Sequence, residues 1–180
     1  MLAQGVRRVA GVTLIELLVT LVIVAVGVLG VAGLQATSLQ LTRDVNFKLT
    51  AVQLANDIFD RIRVNRDQSY ALAITDVPPA GATDCANSSC TAAQLTMYDL
   101  ARWACSVRST NLAGEAYAIC STLSVAGTLP LGASSIAEVS GAAGTYEVHI
   151  RWAIDGVQTL CGAREAGQAC QSLTIRTSVQ

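Results

Sequence analysis

A glutamate stands at the start of the longest apolar stretch in this chain, and its position needs a chemical reason. Glu16 closes the segment Gly11-Val12-Thr13-Leu14-Ile15-Glu16, and Leu17 to Leu34 after it carries no charge. A carboxylate costs about 2.5–3.5 kcal/mol at the centre of a bilayer, so it usually marks a function and needs a positive partner. Cleavage after Gly11 would expose an amino group on Val12, which Glu16 could attract strongly in apolar surroundings.

The apolar stretch has the length of a membrane span. As a helix, Leu17 to Leu34 extends about 27 Å, close to a hydrocarbon core of about 30 Å. Arg7 and Arg8 precede the stretch, and the next basic residue is Arg43. The positive-inside rule therefore predicts a cytoplasmic leader, a single membrane pass and an exported remainder. At 180 residues the chain suits one domain plus this anchor.

Two other interpretations of this segment stay open. A secretory signal peptide has the same charged start and apolar stretch, and Val31-Ala32-Gly33 would suit its peptidase. An acid such as Glu16 is unusual in the apolar core of a signal peptide. A plain single-pass anchor is the second alternative, although nothing in such an anchor requires a glutamate five residues after a glycine.

The segment Gly-Val-Thr-Leu-Ile-Glu resembles the class III signal of type IV prepilins and pseudopilins. In that family an inner-membrane prepilin peptidase cuts after the glycine and methylates the new N-terminus. The glutamate then pairs with the amine of a neighbouring subunit during assembly. The resemblance implies that Gly11 is the cleavage residue, Val12 the mature and methylated N-terminus, and Glu16 the assembly carboxylate. The family's usual first mature residue is phenylalanine, and valine stands there in this chain.

Later segments are similar to PilV-type minor pilins. They are Asp57-Ile58-Phe59-Asp60-Arg61-Ile62-Arg63-Val64-Asn65-Arg66, Cys90 to Leu95, Tyr98-Asp99-Leu100, Trp103, Leu129-Pro130-x-Gly132 and Arg151-Trp152. The resemblance implies a minor pilin that helps to initiate a type IV pilus, with other minor pilins, the major pilin and a large tip adhesin as partners. It also implies an inner-membrane precursor with a periplasmic head, later exposed on the cell surface in twitching motility and cell adhesion. A physical interpretation stays open, in which the charges near Arg61 only pair along one helix.

Helical periodicity continues beyond the membrane stretch. From Leu41 onward, apolar residues recur in helical steps with charged residues between them, at Val45, Leu49, Val52, Phe59 and Ile62. We therefore predict one helix from about Thr13 to Arg66. The predicted division of the chain is a cleaved leader at 1–11, a transmembrane and assembly helix at 12–35, its amphipathic continuation at 36–66, and a periplasmic head at 67–180.

The first half of the head is predicted to be a loop followed by helices. Prolines and glycine from Asp76 to Cys90 predict the loop. Thr91 and Gln94 then fit a capping box, which begins a helix to about Val107. A second helix is predicted from Gly114 to Val125, with a strand from Tyr117 to Val125 as the alternative.

Alternating apolar residues predict a sheet in the second half of the head. The clearest strand runs from Tyr146 to Ile154; Asp155-Gly156 supplies a type I′ turn, so Val157 to Cys161 should return as its hairpin partner. A short strand near Ile136 to Val139 and a final one from Leu173 to Val179 complete about four antiparallel strands. Since this sheet can bury the amphipathic half of the long helix, the sequence predicts an α+β fold.

Six cysteines, all after residue 84, predict up to three disulfides in an oxidising periplasm. Six cysteines allow 15 pairings, and we take neighbours in sequence as the working prediction. The predicted pairs are Cys85 with Cys90, Cys105 with Cys120, and Cys161 with Cys170. A zinc site is the alternative, but there is no Cys-x-x-Cys pair and only one histidine.

Other function classes find little support in the residues. A net charge of −1 without a basic run argues against nucleic acid binding. His149 has no evident nucleophile partner and no Gly-x-Ser-x-Gly segment accompanies it, so we predict no enzyme, no metal and no cofactor. Two alternatives to a pilus subunit are retained: a minor pseudopilin of a type II secretion system, and a membrane-anchored periplasmic enzyme or binding domain.

Overall fold

Seven regular elements make up the described part of the chain. The computed structural model describes residues 11–75, 77–111, 113–153, 161 and 170–179. In chain order the elements are α1 (Leu14–Val64), β1 (Leu72–Thr75), α2 (Ala92–Val107), α3 (Ala118–Thr122), β2 (Ala133–Glu138), β3 (Thr145–Ala153) and β4 (Cys170–Ser178). The fold is α+β, with the long N-terminal helix packed on a four-stranded antiparallel sheet as in pilins, and it divides into two units, 1–43 and 44–180.

The first unit contains the apolar part of α1. Each large apolar side chain from Val12 to Leu34 is more than half exposed. Among the described residues, α1 is the one helix long and apolar enough to span a membrane. The predicted helix from Thr13 to Arg66 is confirmed within two residues at each end.

The second unit is organised around an antiparallel meander in the order β1-β2-β3-β4. Alternation along β3 places Tyr146, Val148, Ile150 and Trp152 in the core, because successive side chains of a strand point to opposite faces. The register of β3 with β4 runs from Thr145 opposite Ser178 to Ala153 opposite Cys170, whereas β1 pairs with β2 through an irregular step.

The end of α1 packs into the core of this unit through a narrow stripe. Ala51, Ala55, Ile58, Phe59 and Ile62 are buried, in one cluster with the apolar residues of β2, β3 and α2. The predicted apolar face of the helix is therefore only partly the face that packs into the core. Val45 and Leu49 are 53% and 56% exposed, because the face that meets the sheet runs through two alanines, whose small side chains allow close approach.

The two helices of the head fit their predictions unequally. The capping box at α2 is confirmed, since Thr91 accepts from the backbone of Gln94 and the Gln94 side chain accepts from the backbone of Thr91. The second helix is much shorter than predicted, only Ala118–Thr122. Before it, Thr110 and Ala116 form an isolated antiparallel bridge. The alternative strand is absent from this described segment.

The predicted strands are also only partly right. Strands β2, β3 and β4 and the loop at 77–90 are confirmed, while β1 carried no recognised signal. The turn at Asp155-Gly156 and most of the strand from Val157 fall on residues 154–160, outside the described residues. Among the described strands, β4 is the neighbour of β3 on the side away from β2.

Candidate functional site

The candidate site begins where α1 begins. Thr13 immediately precedes the helix, and its Oγ1 accepts a hydrogen bond from the backbone nitrogen of Glu16 at 3.3 Å. The carbonyl of Thr13 also accepts from the backbone nitrogen of Leu17 at 3.2 Å. Thr13 therefore caps the helix, since a hydroxyl at this position satisfies one of the free N–H groups of the first turn.

This cap gives Glu16 a defined position in the first turn of the helix. Gly11, Val12 and Glu16 are all exposed, and no described residue forms an ion pair with the Glu16 carboxylate. The positive end of the helix dipole favours an anion here, by about 0.3–1 kcal/mol at an exposed site. Residues 1–10 of the leader lie outside the described residues.

Three glycines follow this site on the apolar part of α1. A Cβ atom built at Gly27, Gly30 or Gly33 would meet nothing within 4 Å. Each glycine lowers helix stability by about 1 kcal/mol relative to alanine. Among the described residues, therefore, none packs against these glycines.

A buried polar cluster joins the end of α1 to α2. The Asp99 carboxylate, 7% exposed, accepts from Arg61 Nη1 at 2.7 Å and from the Tyr70 hydroxyl at 2.8 Å. Asn65 donates to the Tyr70 oxygen at 3.3 Å and to Thr96 Oγ1 at 3.0 Å. The cluster therefore joins residues of α1, α2 and the turn between α1 and β1.

The electrostatics of the cluster follow from burial and from Asp99. Burial raises the pKa of the Tyr70 hydroxyl, and donation to the nearby Asp99 carboxylate raises it further, against an opposing hydrogen bond from Asn65. Burial alone would lower the pKa of Arg61, but hydrogen bonds to Asp57 and Asp99 outweigh it, so that pKa is raised. Both shifts favour the forms that the cluster uses, a neutral tyrosine and a charged arginine.

Two models of known protein families match this chain, one at the start of α1 and one over the rest of α1 and the first part of α2. A family model described as "Prokaryotic N-terminal methylation motif" matches residues 6–32, which include the capped start of α1. A second, described as "Tt1218-like: Type IV pilin Tt1218", matches residues 33–101, which include the polar cluster. The chain is a type IV pilin-like protein. Comparison with the curated proteins and with the solved structures gives no significant match.

The head of this pilin-like chain contains three disulfides in the structure. They join Cys85 to Cys90, Cys105 to Cys120, and Cys161 to Cys170. The first closes an exposed loop, the second joins α2 to α3, and the third joins Cys161 to the first residue of β4. The structure thus brings together the cysteines that are neighbours in sequence.

The charged residues near the end of α1 have structural contacts in the head. Arg61 pairs with Asp57 at 3.0 Å and Arg63 pairs with Asp60 at 2.6 Å, as predicted for one helix face. The contact of Arg61 with Asp99 was not predicted, since the two residues are 38 apart in sequence. The one available signal is that both residues lie within the stretch 33–101 that matches the type IV pilin model.

The polar face of the sheet carries the remaining sequence candidate. His149 Nδ1 lies 3.0 Å from Thr174 Oγ1, and Nε2 lies 3.6 Å from Glu147. Arg176 donates to Glu147 at 2.8 Å and lowers the pKa of that carboxyl group. Within the described ranges no group of three or more metal-binding side chains comes together. These contacts fit a solvated sheet surface.

Proposed function

We propose that this protein is a minor pilin of a type IV pilus. Prepilin peptidase would cut between Gly11 and Val12, and Val12 would be the mature, methylated N-terminus. The protein would enter the inner membrane by a single pass with its N-terminus cytoplasmic and the head in the periplasm. It would then join other minor pilins, the major pilin and a large tip adhesin in a complex that primes the pilus.

One observation carries this proposal: a capped, acidic helix start followed by an apolar helix that buries nothing within its own unit. A surface of this kind needs lipid before assembly and other helices afterwards, because contiguous exposed apolar area marks an interaction site. The glycines at 27, 30 and 33 support the second use, since small residues permit close helix packing in membranes.

Electrostatic registration would drive assembly. The Glu16 carboxylate is costly among apolar helices unless a cation lies beside it, and the Val12 amine of a neighbouring subunit would provide that cation. Docking at the correct height along the neighbouring helix would relieve the cost, whereas other heights would not. The helix cap supports this role because it orders the first turn that carries Glu16.

Two properties of Glu16 need to be separated, its charge and its place in a capped helix start. Glu16→Gln removes the charge but keeps a side chain that suits the third position of a capping box. Thr13→Ala removes the cap and keeps the charge, at a cost of about 1 kcal/mol. The pair therefore tests electrostatic registration against helix capping.

We expect Glu16→Gln to reduce incorporation into pili by at least about 100-fold, since leaving one partner of a buried charge pair alone costs about 3–5 kcal/mol. Thr13→Ala should have a much smaller effect. Immunoblots of sheared pili and of membranes measure incorporation, and mass spectrometry of the mature N-terminus measures processing and methylation. Normal incorporation of Glu16→Gln would contradict registration, and a protein that keeps residues 1–11 or begins beyond Gly33 would contradict processing.

Whether the chain serves a type IV pilus or a type II secretion system is a separate question. A pseudopilin of a type II secretion system would have the same helix start, and the PilV-like segments favour the pilus. A deletion strain, scored for twitching motility, for surface piliation and for secretion of a type II substrate, separates the two. Loss of secretion with intact pili would assign the chain to the secretion system.

A further inference from the structure

The last strand of the head lies at an edge of the sheet. Among the described strands, β4 has β3 on one side and no strand on the other. Its nine residues pair with β3 without a break in register, and they include neither proline nor lysine. The opposite edge differs, because β1 has four residues and an irregular step. A short or irregular edge is protected against pairing with another chain, whereas a long regular edge is not.

Backbone hydrogen bonds determine which peptide groups of β4 face outward. The nitrogen of Val179, directly after β4, donates to the carbonyl of Gly144 at 2.7 Å and so faces the β3 side. The nitrogen of Val139 donates to the carbonyl of Thr145 at 2.8 Å on the β2 side, which is the expected alternation. Since the peptide groups of successive residues point to opposite sides of a strand, every second residue before Val179 faces away from β3. These residues are Ser172, Thr174, Arg176 and Ser178.

The core face of the sheet is incompletely covered at the same edge. On β3, Val148 and Ile150 are 1% and 0% exposed. Opposite them on β4, Ile175 and Leu173 pack against the core but are only partly buried. A further strand beside β4 would therefore cover these two side chains and would pair with the outward peptide groups.

We propose that β4 binds an extended segment of another subunit of the pilus complex, which adds a strand to the sheet. The outward peptide groups repeat at about 6.8 Å along β4, a spacing that another extended polypeptide matches. The bound segment would alternate apolar and polar side chains, with the apolar ones beside Leu173 and Ile175. The identity of the partner rests on the proposed function, whereas the open edge does not.

A second copy of this chain fits the edge poorly. Antiparallel pairing of two β4 strands needs a two-fold axis perpendicular to the sheet, which reverses the end of α1 that packs on it. Two copies inserted in one membrane share an orientation, so they cannot pair in this way. Parallel pairing about an axis along the strands would place the core face of one copy beside the polar face of the other.

Hydrogen exchange of the full-length protein in detergent, resolved by residue, tests whether the edge is open. We expect the amides of Leu173 and Ile175 to exchange at least about 100-fold more slowly than those of Thr174 and Arg176, because only the first pair is bonded to β3. Equal protection of both pairs in the free protein would overturn the proposal, since the edge would then be covered within the chain.

A proline at the edge tests the pairing itself. Ser172→Pro removes one outward N–H and leaves the bonds to β3 in place, and Ser172→Ala is the matched control. We expect Ser172→Pro to lower the amount of the protein in sheared pili at least about tenfold, with unchanged cleavage after Gly11 and an unchanged urea midpoint. Ser172→Ala should behave as the wild type. Normal incorporation of Ser172→Pro would overturn the proposal.

A crosslink identifies the partner and does not depend on the proline variant. The photoreactive residue p-benzoylphenylalanine in place of Ser178, activated in whole cells, should join β4 to a segment of another pilus subunit, and mass spectrometry of the joined peptides identifies that segment. No adduct, or an adduct only with a second copy of this chain, would overturn the proposal. Absence of the wild-type protein from pili would instead refute the proposed function, and an adduct formed in the membrane would still decide the strand pairing.

Discussion

The two units of this chain use apolar residues in opposite ways. Residues 11–43 expose nearly all of theirs, so that Ile23, in the middle of the stretch, is 65% exposed. Residues 44–179 bury Ile58, Trp103 and Trp152 almost completely. The first region is far richer in valine, leucine and isoleucine than the head, and it carries no charge from Leu17 to Leu34.

The two regions differ in what contacts their apolar and charged side chains. The head buries its apolar side chains within its own unit, and disulfides and the Asp99 cluster join its elements. At the helix start, the Glu16 carboxylate has no ion pair among the described residues and the apolar surface is exposed, so we expect its partners to be lipid or other subunits. Substitutions in the head should therefore act on stability, and substitutions near Glu16 on assembly.

The largest contrast should come from large apolar side chains. We expect Trp103→Ala to lower the free energy of unfolding of the head by about 3–5 kcal/mol, because it leaves a cavity and removes the hydrogen bond from Nε1 to the Leu54 carbonyl. Ile23→Ala should change it by less than about 0.5 kcal/mol. Urea unfolding of the full chain in detergent, followed by near-ultraviolet circular dichroism, measures both. Equal effects would refute the division between the units.

The disulfides should rank by the length of chain that they close. Replacing both Cys105 and Cys120 by alanine should lower the free energy of unfolding by about 3 kcal/mol, because this disulfide joins residues 15 apart in sequence. The same change at Cys85 and Cys90, five residues apart in an exposed loop, should cost about 2 kcal/mol. Urea midpoints measure the ranking, and peptide mapping without reductant tests the three pairings. A peptide linking cysteines from two different predicted pairs would contradict them.

The Asp99 cluster should matter more than the exposed ion pair beside it. Asp99→Asn should lower the free energy of unfolding of the head by about 1.5–3 kcal/mol, because it weakens the charged hydrogen bonds from Arg61 and Tyr70. Asp60→Asn is the matched control: its carboxylate pairs with Arg63 but is 73% exposed, and it should cost about 0.5 kcal/mol or less. If both substitutions cost the same, Asp99 would be no more than a surface charge.

The smallest effect should appear in alkaline solution. The folded state holds the Tyr70 proton to a higher pH than the unfolded chain does, because its pKa is raised above the ordinary value of about 10. Stability should thus be unaffected by this group below about pH 10 and fall by about 1.4 kcal/mol per pH unit above it, until the folded pKa is reached. Tyr70→Phe should flatten that decline in urea midpoints measured against pH. An unchanged decline would exclude Tyr70 as its source.

Features that depend on neighbours in sequence could be predicted from the sequence. The long helix, the capping box at Thr91 and the alternation along β3 arise from contacts or periodicities within a few residues. The segment from Gly11 to Glu16 belongs to the same class, because its chemistry resides in spacing along one helix start. The match at residues 6–32 agrees with that interpretation.

Features that depend on distant residues were decided by tertiary structure. Only the packed head determines that α1 meets the sheet through Ala51 and Ala55, and that Arg61 reaches Asp99 across 38 residues. The same holds for β1, whose four residues form a strand because β2 lies beside them. The physical reason is common to all three: burial and long-range pairing contribute more free energy than local preference, and neither can be computed from spacing along the chain.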